Sequence, residues 1–126
     1  MGDYRDLNAW NASRKPALVA YHVTESFPAA ERFGLVAQMR RAAVSVMSNI
    51  AEGAGRASDR QFAPFLRIAS GSLRELESQA ILALELGYLP AAAHEELSRA
   101  SLTAGQLLSG LLRSIERRIA SGTSHK

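Results

Sequence analysis

The chain has 126 residues, carries 15 Lys and Arg against 12 Asp and Glu for a formal charge of +3, and contains no cysteine. At roughly 100–200 residues per domain this is one domain, long enough to bury about two thirds of its unfolded surface without staples. The cysteine count excludes disulfides, thiolate zinc sites, iron–sulfur clusters, Cys nucleophiles and c-type haem attachment, while a modest, Arg-dominated positive charge permits a nucleic-acid partner without requiring one.

The opening residues carry no signal-peptide pattern, Asp6 breaks a myristoylation match, and no apolar run approaches the roughly 18 residues of a membrane span. A cytoplasmic location is the expectation. Hydrophobic periodicity predicts one domain over residues 1–120 and a disordered tail over 121–126. The first helix is expected from Asp6 to Glu25, with Leu7, Trp10, Ala17, Leu18 and Tyr21 on one face and a kink or late start at Pro16. Pro28 suits the first position of a second helix, and Glu31 its first turn. That helix carries Val36, Met39, Ala43, Val46 and Ile50, a bundle seam, and is expected to stop at Gly53-Ala54-Gly55 with a left-handed glycine.

Ser58-x-x-Gln61 reads as a capping box for a third helix. Its expected buried face is Phe62, Phe65, Leu66, Ala69, Leu73, Leu76, Ala80 and Leu84, with Pro64 an irritant near its start. Gly87 ends it, Pro90 opens a fourth helix, and Leu97, Ala104, Leu108, Leu111 and Ile115 form the last stripe. Short connections between long amphipathic helices predict an all-α, antiparallel up-down-up-down four-helix bundle.

Two helices show more apolar surface than a bundle core needs. Phe33, Ala37, Val44 and Ala51 lie off the second seam, and Ala12, Val19 and Val23 off the first. Such ordered second stripes fit a subunit interface better than scattered surface residues do. Between the arcs runs a polar strip of Gln38, Arg41, Ser45, Ser48, Asn49 and Glu52, answered on the third helix by Gly71, Arg74 and Glu77. Its short side chains beside alanines, and a glycine kept mid-helix, favour an interface-organising role over a solvated face.

The run from Arg41 to Gly53 (RAAVSVMSNIAEG), preceded by Phe27-Pro28-x-x-Glu31-x-x-Gly34-Leu35-x-x-Gln38, closely resembles a bacterial four-helix-bundle family. Its members include proteins encoded by intervening sequences in 23S rRNA genes. Phe65-Leu66-x-Ile68-Ala69, Gly71-Ser72-Leu73-x-Glu75-Leu76 and Leu86-Gly87-Tyr88-Leu89 match as well, so the resemblance spans Trp10 to Ile119. It implies a homopentameric bundle of undefined biochemical activity. It also implies distant similarity to accessory proteins of diversity-generating retroelements, which bind nucleic acid and a reverse transcriptase through basic surfaces. Met47 stands where the family commonly has proline, and Ser70 where it often has a basic residue.

Enzyme patterns are missing. Glu-x-x-His, the di-iron signature of bundles, does not precede His22, His94 or His125. No Gly-x-Ser-x-Gly elbow occurs. The Arg-to-His spacings at Arg14 and Arg117 are longer than those of HEPN-type helical ribonucleases. The expectation is a non-enzymatic oligomeric scaffold or adaptor, without cofactor, whose Arg40, Arg56, Arg60, Arg67, Arg113, Arg117 and Arg118 are candidates for phosphate contact. With only 6% aromatic residues, and Trp10 and Phe62 expected in the core, base-stacking platforms are not foreseen. The alternatives are a small-molecule or cofactor-binding bundle with a cavity lined by Arg41, Ser45, Asn49 and Glu52, and a pure protein–protein module.

Overall fold

Each of the four periodic stretches folds as a helix. The computed structural model describes residues 3–122. In chain order these form α1 (Asn8–Thr24), α2 (Leu35–Ala54), α3 (Asp59–Glu85) and α4 (Ala91–Ser121), with single 3-10 turns at Tyr4–Asp6 and Ala29–Glu31. Among the described residues there is no strand. The helices close a ring: α1 packs on α2 and α4, α3 packs on α2 and α4, and the backbones of the diagonal pairs stay apart across one shared core. None is long and apolar enough to cross a membrane.

The seams of α2, α3 and α4 meet at the centre. Met39, Ile50, Leu66, Leu76, Leu97, Leu108 and Ile115 are fully buried, each stabilising the fold by about 1.5–3 kcal/mol relative to exposure. Phe65, Leu84 and Leu111, expected on the same faces, are only half-buried.

Helix α1 departs from the expected face. Leu18 is 70% exposed and Tyr21 also faces solvent, while Ala9, Ser13, Pro16, Ala17, Ala20, Val23 and Thr24 are buried. These positions recur every three or four residues, so the true stripe is one of small side chains that lets α1 approach its neighbours closely. Of the expected face, Ala17 is buried and Leu7 and Trp10 pack half-buried against the core, and only Leu18 and Tyr21 point outward. Val19 and Val23, expected on an oligomer stripe, belong to the core of the single chain. Ala12 is half-buried against that core. Pro16 lies within a continuous helix that begins at Asn8, so there is no late start.

Local chemistry explains the helix ends. Pro28 precedes the 3-10 turn, and α2 begins only at Leu35. Glu31 acts across that gap: its carboxylate accepts from the Leu35 N–H at 3.1 Å and from the Tyr88 hydroxyl at 3.3 Å. It therefore serves one of α2's orphan donors and ties the α3–α4 connection to the same point. Ser58 caps α3 by accepting from Gln61 N–H, and Gln61 returns a bond to Ala57 N–H, one residue earlier than the standard capping box.

Gly53 and Gly55 do not form a left-handed stop. Gly55 has φ −83°, and Gly53 is buried inside α2 against Phe62 and Phe65 of α3. Gly87 and Gly122 do take the left-handed conformation, at φ 80° and 75°. Residue 121 is helical, which shortens the expected tail; residues 123–126 lie outside the described residues.

Candidate nucleic-acid interface

The arginines near the α2–α3 junction and the end of α4 are assembled by one buried ion pair. Asp59 opens α3, where a carboxylate is favoured by the helix dipole, and is 1% exposed. Arg118, in the last turn of α4, donates from Nε to Oδ2 and from Nη2 to Oδ1, both at 2.9 Å. This is the bidentate geometry that makes guanidinium–carboxylate pairs directional. The hydrogen bond to Asp59 raises the Arg118 pKa above its ordinary value, against the opposing effect of burial. Two turns further along α3, Arg67 reaches Glu116 of α4 at 3.2 Å. Together the two pairs clasp the end of α4 to the beginning of α3.

That clasp sorts the expected phosphate contacts. Arg118 is committed to Asp59 and Arg67 to Glu116. Arg56 pairs with Glu52 at 3.0 Å and lies over the Phe65 ring at 4.7 Å. Arg40 donates to Thr24 Oγ1 and to the Tyr21 carbonyl, and stacks on the Tyr21 ring, so its guanidinium joins α1 to α2. Arg60, Arg113 and Arg117 are exposed and, among the described residues, have no carboxylate partner. Arg60 and Arg117 adjoin the Asp59–Arg118 pair in sequence and so lie at the end of the bundle where α3 begins and α4 ends, whereas Arg113 lies further along α4, in the groove with Ser70 and Arg74. Asp59 was missed in the sequence because a first-turn Asp is an ordinary helix-start residue; nothing local signals burial.

The polar strip divides similarly. Ser45 Oγ and Ser72 Oγ share a hydrogen bond of 2.8 Å, and Asn49 Nδ2 donates to the Ser45 carbonyl and hydroxyl at 2.8 and 3.0 Å. These residues link α2 to α3 within one chain. Gln38, Arg41, Ser48 and Glu52 are exposed, as are Gly71, Arg74 and Glu77 on α3. Arg41 and Glu52 do not pair with each other; Glu52 takes Arg56 instead. Among the described residues, a Cβ added at Gly71 would meet nothing within 4 Å. Of the apolar set, Phe33 is 87% exposed in the turn before α2, Val44 is exposed, and Ala37 and Ala51 are half-buried.

His22 is exposed and His94 half-buried, and His125 lies outside the described residues. Among the described residues no three His, Asp or Glu side chains cluster to hold a metal.

A model of the 23S rRNA-intervening sequence protein family matches residues 5–110, and the chain belongs to that family. The fold is similar to a solved protein of unknown function from the S23 ribosomal protein family of Bacteroides thetaiotaomicron VPI-5482. The TM-score is 0.73 at 21% identity, over 82% of this chain and 97% of that one. No curated protein matches the chain.

Proposed function

We propose that this member of the family is a non-enzymatic, oligomeric scaffold that holds RNA or single-stranded DNA by its phosphate backbone at the α3–α4 end of an antiparallel up-down-up-down bundle. The observation that carries the reading is the pair of guanidiniums, Arg60 and Arg117, that have no carboxylate partner among the described residues and adjoin the Asp59–Arg118 pair at one end of the bundle. Planar guanidinium forks match phosphate oxygens, and such contacts give tight but sequence-tolerant binding. The Asp59–Arg118 and Arg67–Glu116 pairs join the end of α4 to the start of α3, which supports the antiparallel arrangement of those helices.

Assembly multiplies the field. A homopentamer, as the family resemblance implies, would carry about +15 where one chain carries +3. Its contacts would use Phe33 and Val44, which are exposed, with Ala37, Ala51 and the Gln38, Arg41, Ser48 and Gly71 surface, none of which this chain covers completely. Fluorescence anisotropy with labelled RNA and single-stranded DNA at 50 mM salt tests the function. Micromolar binding that is lost on replacing Arg60 and Arg117 together by Ala supports it; no signal at micromolar protein refutes it.

A further inference from the structure

The groove between α3 and α4 has a volume of about 450 Å³ and lies along the middle of the two helices. That size is in the range of small-molecule sites, which span about 300–1,000 Å³. Arg74 lines it from α3 and Arg113 from α4, and among the described residues neither guanidinium pairs with a carboxylate. Ser70 and Ser109 line the same groove from the two helices, and Glu77 is its one acidic residue. Two unpaired guanidiniums across a groove attract an anion and, as rigid forks, suit the oxygens of a phosphate. The carboxylate of Glu77 repels a bare anion but accepts from a sugar hydroxyl, so it favours a ligand that carries both groups.

A second observation comes from the groove's floor. Ser101 is 1% exposed, lines the groove, and its Oγ is buried without any hydrogen-bond partner. Buried hydroxyls are nearly always satisfied, commonly by a bond to a carbonyl one turn back when they lie in a helix. Here that bond is not made, whereas Ser13 and Thr24 on α1 do make it, at 2.7 Å each.

We infer that the α3–α4 groove is a binding site for a nucleotide-sized phosphate ester, its phosphate held between Arg74 and Arg113 and its sugar hydroxyls directed to Glu77. The phosphate arrives either on a free nucleotide or as one unit of a nucleic-acid backbone, and the chemistry recognised is the same. This goes beyond the scaffold reading, because the groove would bind such a ligand even if the basic end holds no nucleic acid.

The test is calorimetric titration of the full chain with adenosine 5′-monophosphate, adenosine and the oligonucleotide dT10, with the amide signals of the groove followed by NMR. Saturable binding of the monophosphate, little or none of adenosine, and shifts centred on Ser70, Arg74, Ser109 and Arg113 are expected. Arg74→Gln and Arg113→Gln are surface changes that leave the melting temperature intact, and each weakens the monophosphate by about tenfold. Ser101→Ala melts at or above wild type, having removed an unsatisfied hydroxyl, yet binds more weakly. Binding of dT10 through the same amides supports the phosphate assignment with the backbone as its source. Replacing Arg60 and Arg117 by Ala leaves the monophosphate affinity unchanged, which separates this site from the basic end. The inference is overturned if neither phosphate ligand binds at millimolar concentration, if adenosine binds as well as its monophosphate, or if both Gln variants bind normally.

Discussion

Replacing Gly53 by Ala sets two effects of known size against each other. In the interior of a helix, Ala is favoured over Gly by about 1 kcal/mol, so propensity alone predicts a more stable protein. A Cβ at this position would lie 2.6 Å from Phe65 Cβ and 2.8 Å from Phe62 Cδ1. Carbon atoms pack comfortably at about 3.5–4.0 Å, so α2 and α3 would have to separate by about 1 Å. Phe65 Cβ is fixed to the α3 backbone, and no rotamer change relieves the clash. Overpacking of this kind costs about 1–3 kcal/mol and more where rigid atoms meet. The α2–α3 contact is also the most extensive in the bundle. A net loss of about 2 kcal/mol follows, which for a domain of this size lowers the melting temperature by roughly 8 °C. Gly71→Ala is the internal comparison, since an added Cβ there meets nothing within 4 Å. That chain should gain up to about 1 kcal/mol. Thermal melts followed by circular dichroism decide it: Gly53→Ala melting at or above wild type would show that helix approach at Gly53 is not tight. A lower melt or altered mass for Gly71→Ala would place a second chain on that face.

Arg118→Ala takes the guanidinium from a buried Asp59. Removing one member of a buried pair costs about 3–5 kcal/mol, but the Arg118 side chain is 33% exposed and solvent screens part of the loss, so about 2–3 kcal/mol is expected in a denaturant titration. Asp59→Asn in the same chain should recover part of that. Arg41→Ala and Glu52→Ala, both at exposed sites, should each change single-chain stability by less than about 1 kcal/mol. If they line a subunit contact, analytical ultracentrifugation should nonetheless show a reduced mass. Tyr88 is raised above its ordinary pKa of 10.0 by partial burial and then by the Glu31 charge and hydrogen bond. The folded state therefore holds this proton more tightly, and the contribution is complete below pH 10.0 and lost as pH rises through the folded value. The stability difference between wild type and Tyr88→Phe should accordingly shrink with alkaline pH.

The sequence carried the number of helices, three of the four buried faces and most helix starts, because bulky residues at helical spacing dominate those seams. Met39, Val46 and Ile50 on α2, and Leu66 and Leu76 on α3, are buried as their period requires. Helix α1 was legible only in part: Leu7, Trp10 and Ala17 reach the core as expected, but Ala9, Ser13 and Ala20 complete the buried stripe, while its largest aliphatic side chain, Leu18, points outward. Small residues carry little hydrophobic signal, and only the partner surface reveals that close approach is what they provide. Gly53 is a similar case: a glycine that ends a helix and one that admits a phenylalanine look alike in sequence. Of the basic residues, composition identified the arginines but not their commitments. Whether a guanidinium is free for phosphate depends on carboxylates distant in the chain: Asp59 lies 59 residues from Arg118, and Glu116 lies 49 from Arg67. No local pattern encodes either pairing.

The central claim, that the end carrying Arg60 and Arg117 holds phosphate backbones, is tested most directly by the salt dependence of binding to a labelled single-stranded oligonucleotide. Each phosphate neutralised contributes about 0.7 to the slope of log affinity against log salt for a single strand. A steep slope is expected for wild type, falling by about one contact's share with each of Arg60→Ala and Arg117→Ala. Arg118→Ala should act instead through stability. A slope that is flat in wild type, or unchanged in both variants, would contradict this claim.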